Sequence, residues 1–324
     1  MAIIHFTNYS HLMHPHAMNT TRQYSSASSF ALLGWVLTFS MIWSSAFVVG
    51  KIGLRYTDPY TLLTARFLLA SLLLLPVCLA TMRPLVFGNR TLIRDALILG
   101  AMNNALYLGL TFTSLRFISP ELVVIVVSCV PFVTAVIAGV LRIEKVGVRS
   151  IAGIVMGFSG VLIITLARPV GTVDPFGLSL AFLGAVSFAA ATVFYRNKAT
   201  LHAPQQVNFW QSIVATVLLL PFAVTHASSS PLTVYSLPLA SAVVYLAVVV
   251  TIGGMWMWLF MIRHAGATTA STYHLANPAS GLLLSYLVFG TEFRLTDWIG
   301  VAIIVLGLFI VTHLPTGERH GTHN

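Results

Sequence analysis

Apolar runs of about 20 residues recur along the whole chain, and they leave few fold classes open. Each run is long enough to cross a hydrocarbon core of about 30 Å. Charged residues make up only 8% of the 324 residues, whereas an average soluble domain has about 25%. A membrane β-barrel would instead show alternating segments of about 10 residues. The sequence therefore predicts an all-α polytopic membrane protein.

The apolar pattern predicts ten transmembrane helices. The predicted spans are 31–53, 60–80, 95–114, 119–140, 148–167, 177–196, 206–225, 237–262, 268–289 and 296–313. The links between them are short and mostly polar, so we expect no soluble domain between spans. The His- and Ser-rich segment 1–30 is interpreted as a disordered cytoplasmic tail rather than a signal peptide, because it has no apolar core before a cleavage site. Residues 314–324 are interpreted as a second cytoplasmic tail.

The distribution of lysine and arginine predicts the orientation, because positively charged loops stay on the cytoplasmic side. With both termini inside, the cytoplasmic positives are Arg22, Arg83, Arg90, Arg94, Arg142, Lys145, Arg149, Arg196, Lys198, Arg263 and Arg319. The outer positives would be Lys51, Arg55, Arg116, Arg168 and Arg294. The excess on one side accounts for much of the net charge of +9. No basic patch interleaved with aromatic residues indicates a nucleic-acid partner.

The two halves of the chain resemble each other. "DPYTLLTARFLLASLLLLP" and "APQQVNFWQSIVATVLLLP" each place two prolines 17 residues apart. Pro131 is followed by glycines after 22 and 29 residues, and Pro278 is followed by glycines at the same two intervals. Five spans per half is an odd number, so the halves, 31–168 and 169–313, would be inverted in the membrane. Inverted repeats are typical of secondary transporters, whose site lies near the midplane.

Several stretches resemble the ten-helix EamA-type branch of the drug/metabolite transporter superfamily. They include "IWSSAFVVGKIG" in span 1, "TARFLLASLLLLP" in span 2 and "HAGATTASTYHLANPASGLLLSYLVFG" in and just before span 9. In both halves a proline-containing span is followed by a turn with Glu144 or Glu292 and then by a glycine-containing span. The resemblance covers about 31–313. It implies a secondary transporter, often an exporter of amino acids, with spans 1–4 and 6–9 around a central cavity.

Ionisable residues inside a membrane are costly, so each one needs a reason. Arg66 could bind a substrate carboxylate through two parallel hydrogen bonds, or it could be a structural arginine that reaches outward or binds carbonyls at a helix end. Lys51 has the same two interpretations. His274 and Glu121 are candidates for proton coupling. The alternatives are a neutral imidazole bonded to a neighbouring helix and an acid that complements a helix dipole.

Uncharged polar and aromatic residues complete the candidate substrate site. Small-molecule pockets combine aromatic side chains with a few hydrogen-bonding groups. The further candidates are Trp43, Ser45, Asn103, Asn104, Tyr107, Trp210, Trp256, Tyr273 and Asn277. Span 9 is the strongest candidate for a substrate-facing helix, because Pro278 leaves a backbone carbonyl without its helical partner.

The sequence favours a transporter over other functions. It has no GxxxxGK[ST] loop, so ATP is not expected as the energy source. We predict no cofactor and no metal site, and the chain lacks the clustered groups of an enzyme. The predicted partners are a small-molecule substrate, the lipid bilayer and, as a candidate coupling ion, the proton. Drug efflux, import of another metabolite, and a channel or membrane sensor stay open, and the expected location is a bacterial inner membrane.

Overall fold

The computed structural model describes residues 26–82, 89–114, 116–118, 120–167, 174–229, 236–289, 292 and 294–313. Among the described residues, 26–35 belong to one unit and 36–313 to another, and the architecture below concerns the second. The predicted tail 1–30 overlaps helix α1, which begins at Ser26. The rest of that tail and the tail 314–324 lie outside the described residues.

The described residues form ten helical segments and contain no strand. Their bounds are α1 Ser26–Gly53, α2 Pro59–Met82, α3 Arg90–Ser114, α4 Pro120–Val127 with Val130–Val140, α5 Val148–Leu166, α6 Pro175–Phe194, α7 Pro204–Ser229, α8 Leu237–Ala265, α9 Ala267–Thr272 with Asn277–Phe289, and α10 Leu295–His313. Each segment matches one predicted span to within a few residues. The all-α class is confirmed.

Seven of the described helices are long and apolar enough to cross a membrane without interruption. They are α2, α3, α5, α6, α7, α8 and α10. The membrane class is therefore confirmed, while ten spans stays a prediction. Among the remaining three, α4 and α9 are each divided into shorter pieces.

The interruptions of α4 and α9 occur just before the two repeat-matched prolines. The first helix piece of α4 ends at Val127 and the second begins at Val130, one residue before Pro131. In α9 a single 3₁₀ turn, Tyr273–Ala276, separates the two pieces and is followed by Asn277 and Pro278. Proline lacks an N–H and disfavours helical geometry in the residue before it. The matched prolines therefore lie at irregular helix positions in both halves.

Four glycines join α5 to α10 in a crossed pattern. A Cβ added to Gly153 would lie 2.7 Å from the Gly307 carbonyl oxygen, and one added to Gly160 would lie 2.6 Å from the Gly300 carbonyl oxygen. By sequence interval Gly153 matches Gly300, and Gly160 matches Gly307. Gly153 therefore contacts the counterpart of Gly160, and Gly160 contacts the counterpart of Gly153, as a two-fold axis requires. The helices also run antiparallel here, which is the arrangement expected of inverted repeats.

π-helical segments interrupt α3 and α8 at matching places. They are Gly100–Leu106 in α3 and Leu246–Gly254 in α8. Their positions differ by about the same interval as the two prolines do. π-helical turns are rare in proteins, and those that occur often lie at functional sites. Because they recur in both halves, the space between α3 and α8 is a candidate functional site.

One end of the helices is here called the basic face, where the turns α4–α5, α6–α7 and α8–α9 meet. These turns carry Arg142, Lys145, Arg149, Arg196, Lys198 and Arg263. Arg196 Nη1 donates to the Arg263 carbonyl oxygen at 2.9 Å. The start of α3 lies at the same end, because Asp95 Oδ2 is 3.5 Å from His202 Nε2 in the α6–α7 turn. This grouping is the one predicted to be cytoplasmic, and the orientation itself stays a prediction.

Candidate functional site

A small cavity lies between α1, α2, α3 and α8. Its lining residues are Trp43, Ala46, Arg66, Phe67, Asn103, Asn104, Tyr107, Leu108, Phe112, Val250, Thr251 and Met255. Both π-helical segments contribute to this wall, through Asn103 and Asn104 on one side and Thr251 on the other. The cavity volume is about 30 Å³, which is room for one or two waters. It must therefore widen before it can hold a metabolite.

Arg66 is a buried cation at this cavity. Its side chain is 5% exposed, and its Nε donates to Thr251 Oγ1 at 2.6 Å. Within the described residues no carboxylate lies at salt-bridge distance, and the two Nη nitrogens make no hydrogen bond. A charge removed from water is costly unless it is paired. Arg66 therefore offers a forked pair of donors to an anion that enters the cavity.

Thr251 links Arg66 to a chain of hydrogen bonds that crosses four helices. The Thr251 carbonyl accepts from Asn208 Nδ2 at 2.7 Å. Gln211 Nε2 then donates to Asn208 Oδ1 at 3.2 Å, and the Gln211 carbonyl accepts from Asn104 Nδ2 at 3.4 Å. All of these residues are buried. A connected polar network in a low-dielectric setting fixes side-chain positions, so it holds both Arg66 and Asn104 at the cavity wall.

The amides of Asn103 and Asn104 leave acceptors at the same cavity. Asn103 Nδ2 points to Met255 Sδ at 3.6 Å, while Asn104 Nδ2 is used by Gln211. Within the described part of the chain neither Oδ1 atom has a hydrogen-bond partner, and both are buried. A buried acceptor without a donor costs free energy of about 1–3 kcal/mol. The cavity wall thus combines unused donors on Arg66 with unused acceptors on α3.

The structure brings five of the sequence-predicted site residues to the cavity and leaves six elsewhere. The cavity-lining residues are Trp43, Arg66, Asn103, Asn104 and Tyr107. The other candidates do not line it: Ser45, Trp210, Trp256, Tyr273, His274 and Asn277. Trp210 packs against the cluster of Leu74, Cys78 and Phe209, and Trp256 stacks on Phe260 with ring centroids 5.7 Å apart. Ser45 Oγ donates to the Ile42 carbonyl and accepts from Tyr245 OH.

His274 lies in a cage of four aromatic rings, outside the cavity lining. Its ring centroid is 5.3 Å from Phe39, 5.0 Å from Trp43, 5.2 Å from Phe188 and 4.6 Å from Trp258. The side chain is 3% exposed. The cage joins α1, α6, α8 and α9, and shares Trp43 with the cavity. These contacts favour a packing role for the imidazole.

Asn277 and Ser280 of α9 face α1. Ser40 Oγ donates to Asn277 Oδ1 at 3.0 Å and lies 2.8 Å from Ser280 Oγ. Ser44 Oγ donates to the Asn277 carbonyl oxygen at 2.9 Å. Asn277 Nδ2 lies 2.8 Å from His274 Nδ1. Polar residues that are costly in lipid are therefore paired between two helices, and in this conformation α9 does not supply the cavity wall.

Several cavity residues were not anticipated from the sequence, and two predicted candidates cannot be placed. Thr251 and Met255 came from an apolar run with no charge to mark them. Phe67 follows Arg66, and its ring centroid lies 5.3 Å from the guanidinium carbon. The side chains of Lys51 and Glu121 lie outside the described part of the structure. In the described residues no group of three or more metal-ligating side chains occurs.

Replacing His274 with phenylalanine tests its packing role. Phenylalanine keeps a ring in the cage and removes the group that could carry a proton. We therefore expect the pH profile of transport to match that of the wild type. His274→Ala is expected to lower the free energy of unfolding by about 2–5 kcal/mol, because it empties a buried site. Transport of the phenylalanine variant across a pH series is the measurement, and loss of the pH dependence would instead assign proton coupling to His274.

Comparison with known proteins identifies relatives along nearly the whole chain. The model of the EamA-like transporter family matches residues 31–166 and 175–313. "Uncharacterized inner membrane transporter YedA" of Escherichia coli K12 is 26% identical over 287 residues, which are 87% of this chain and 90% of the relative. "Uncharacterized transporter YyaM" of Bacillus subtilis is 23% identical over 293 residues, which are 89% of this chain and 95% of the relative.

A solved structure supports the fold alone. It is a crystal structure whose chain is 20% identical to this one, with a TM-score of 0.73. The match covers 88% of this chain and 96% of that chain.

An "Uncharacterized transporter" of Archaeoglobus fulgidus is 23% identical over 283 residues, which are 86% of this chain and 97% of the relative. The similarity therefore extends through both halves.

Proposed function

Since the chain belongs to the EamA-like transporter family, we propose that it exports amino acids or closely related small metabolites across a bacterial inner membrane. The observation that carries this proposal is Arg66, a buried guanidinium at the cavity without an acidic partner among the described residues. A carboxylate from the substrate would supply the missing charge through two parallel hydrogen bonds. Binding would thereby relieve the cost of an unpaired buried cation.

The remaining cavity groups complement the other end of an amino acid. An ammonium group carries three donors and no acceptor. The unused Oδ1 acceptors of Asn103 and Asn104 suit such a group. Trp43 and Tyr107 add aromatic surface in the same wall, and aromatic faces attract cations. A zwitterion therefore fits the chemistry of the wall better than a phosphate, which would call for several buried cations.

Alternating access is the proposed mechanism. Inverted repeats allow one half to rock against the other, so that two related states open to opposite sides. The crossed glycine contacts between α5 and α10 support such a relation between the halves. The contracted volume of about 30 Å³ is consistent with a state between the two openings. The substrate gradient or proton exchange would drive export. Of the two coupling candidates proposed from the sequence, Glu121 is kept here, because the aromatic cage favours a packing role for His274.

Uptake by vesicles containing the purified protein tests this function. The vesicles are given a panel of labelled amino acids without ATP, and protein-free vesicles are the control. We expect accumulation of at least one neutral amino acid well above the control, together with faster release when unlabelled amino acid is present on the other side. A flat response to the whole panel would contradict the proposal.

A further inference from the structure

The carboxylate of Glu144, in the α4–α5 turn, holds the beginning of α9. Glu144 Oε1 accepts from the Ala267 amide at 2.6 Å, and Oε2 accepts from the Thr268 amide at 2.9 Å. The first amides of a helix have no partner within the helix, and the helix dipole favours an anion there. A turn between two helices of the first half is therefore attached to a helix of the second half.

Arg196 extends this contact to two more helices. Its Nε lies 3.5 Å from Glu144 Oε1, and its Nη1 donates to the Arg263 carbonyl oxygen at 2.9 Å. Arg196 is at the end of α6 and Arg263 is in the last turn of α8. One carboxylate and one guanidinium thus connect the α4–α5 turn, α6, α8 and α9 at the basic face.

Gly266 makes the close approach of Glu144 possible. Its φ is +87°, and a Cβ added there would lie 2.7 Å from Glu144 Oε1. A side chain at this position would meet both a strained backbone conformation and the carboxylate. The local sequence His-Ala-Gly-Ala-Thr therefore suits a carboxylate seated on this helix start.

A narrow seam runs from the cavity toward the basic face. It lies between α3, α6 and α8, and its lining is Leu99, Asn103, Ala191, Thr192, Tyr195, Trp258, Leu259 and Ile262. Asn103 belongs to both the cavity and the seam. Tyr195 and Ile262 immediately precede Arg196 and Arg263, which both take part in the Glu144 contact network. The seam has no room for a water molecule in this conformation.

The matching site in the first half is built differently. Counting back by the interval that relates Pro278 to Pro131, Ala267 and Thr268 match Pro120 and Glu121. Proline has no N–H to donate, so one of the two amides that Glu144 uses is missing at the matching place. Glu292, in the α9–α10 turn that corresponds to that of Glu144, is exposed. The two ends of the molecule therefore differ in their capacity to form this contact.

We propose that Glu144 is a latch that keeps the cavity closed toward the basic face, and that its release from α9 opens the seam. This inference rests on the proposed transport function. Because Pro120 lacks the amide that one of these two hydrogen bonds needs, an equivalent latch at the opposite face is weaker, and the protein rests in the state that is closed at the basic face. Each transport cycle must break two hydrogen bonds to a charged group on one side only.

Cysteine accessibility tests the latch without requiring a known substrate. Cys78 and Cys129 are replaced by alanine, and Thr192→Cys places a small reporter in the seam. A membrane-impermeant maleimide is added from the basic face. Since hydrogen bonds to a carboxylate are among the stronger ones, we expect Glu144→Ala to raise the labelling rate of the reporter by about tenfold or more.

Glu292→Ala is the matched control, and we expect it to leave the labelling rate within about twofold of the parent protein. Glu144→Gln keeps the shape of the side chain and provides a second reading if the alanine variant does not elute as a single species in detergent. An unchanged labelling rate in a folded Glu144 variant, or an equal rise with Glu292→Ala, would overturn the latch. Labelling does not depend on transport, so it can succeed or fail whatever the amino-acid panel shows.

Discussion

Replacing Arg66 with lysine is expected to lower the rate of amino-acid transport at limiting substrate by about 10- to 100-fold. Lysine keeps the positive charge, but it cannot present the planar fork of donors that matches a carboxylate. It also cannot keep the 2.6 Å bond from Nε to Thr251 in the same geometry. Hydrogen bonds to charged groups contribute about 1.5–3 kcal/mol each, which gives the expected range. The measurement is initial uptake into vesicles.

Arg90→Lys is the matched control, because Arg90 is exposed at the start of α3 and lies outside the cavity lining. We expect its transport rate to equal that of the wild type. Size-exclusion profiles of both variants in detergent separate lost binding from lost folding. Full activity of a correctly folded Arg66→Lys variant would mean that the guanidinium does not bind the substrate.

Adding a methyl group at Gly307 is expected to be among the most destabilising small changes in the described helices. The Cβ of Gly307→Ala would lie 2.6 Å from the Gly153 carbonyl oxygen and 2.6 Å from the Gly157 amide nitrogen. Both neighbours are backbone atoms, so α5 and α10 must separate. Overpacking of this kind costs about 1–3 kcal/mol. We expect a melting temperature in detergent that is several degrees below that of the wild type.

The glycine contact between α5 and α10 provides a second variant for the same test, and a glycine in α3 provides the control. Gly160→Ala should be comparably destabilising, because its Cβ would lie 2.6 Å from the Gly300 carbonyl oxygen. Gly109→Ala should be tolerated, since the nearest atom to its Cβ is a Leu219 methyl carbon at 3.7 Å, and alanine favours helices over glycine. Equal melting temperatures for Gly307→Ala and Gly109→Ala would contradict the close packing of α5 on α10.

Most of the helices could be predicted from residues whose effect on a helix is known, such as capping residues, prolines and polar groups inside an apolar span. The helix starts agree with local signals, as at α6, where Asp174 accepts from the amides of Phe176 and Gly177. The repeat spacing of prolines and glycines related the two halves, and the structure then showed that the matched prolines lie at the broken helices and the matched glycines at the α5–α10 contact. Arg66 was singled out because a charge inside an apolar span is costly, and Asn103 and Tyr107 because small-molecule pockets combine amides with aromatic rings. All three line the cavity.

The partners of each helix could not be predicted in the same way. A uniformly apolar helix has no polar side to fix its rotation about its own axis, so the direction of a polar residue depends on which helix packs beside it. The polar residues of α9 were therefore expected at the substrate site, whereas Asn277 is bonded to Ser40 and Ser44 of α1. Thr251, the partner of Arg66, comes from the other half of the chain, 185 residues away.

Competition between an amino acid and its methyl ester tests most directly whether the cavity at Arg66 recognises a carboxylate. Vesicles containing the protein take up a labelled neutral amino acid by exchange, and the unlabelled acid or its ester is added as competitor. Methylation removes the charge and alters the two acceptors that a guanidinium fork binds. We expect half-inhibition of uptake to require at least about a tenfold higher concentration of the ester than of the acid. Equal inhibition by acid and ester would contradict it.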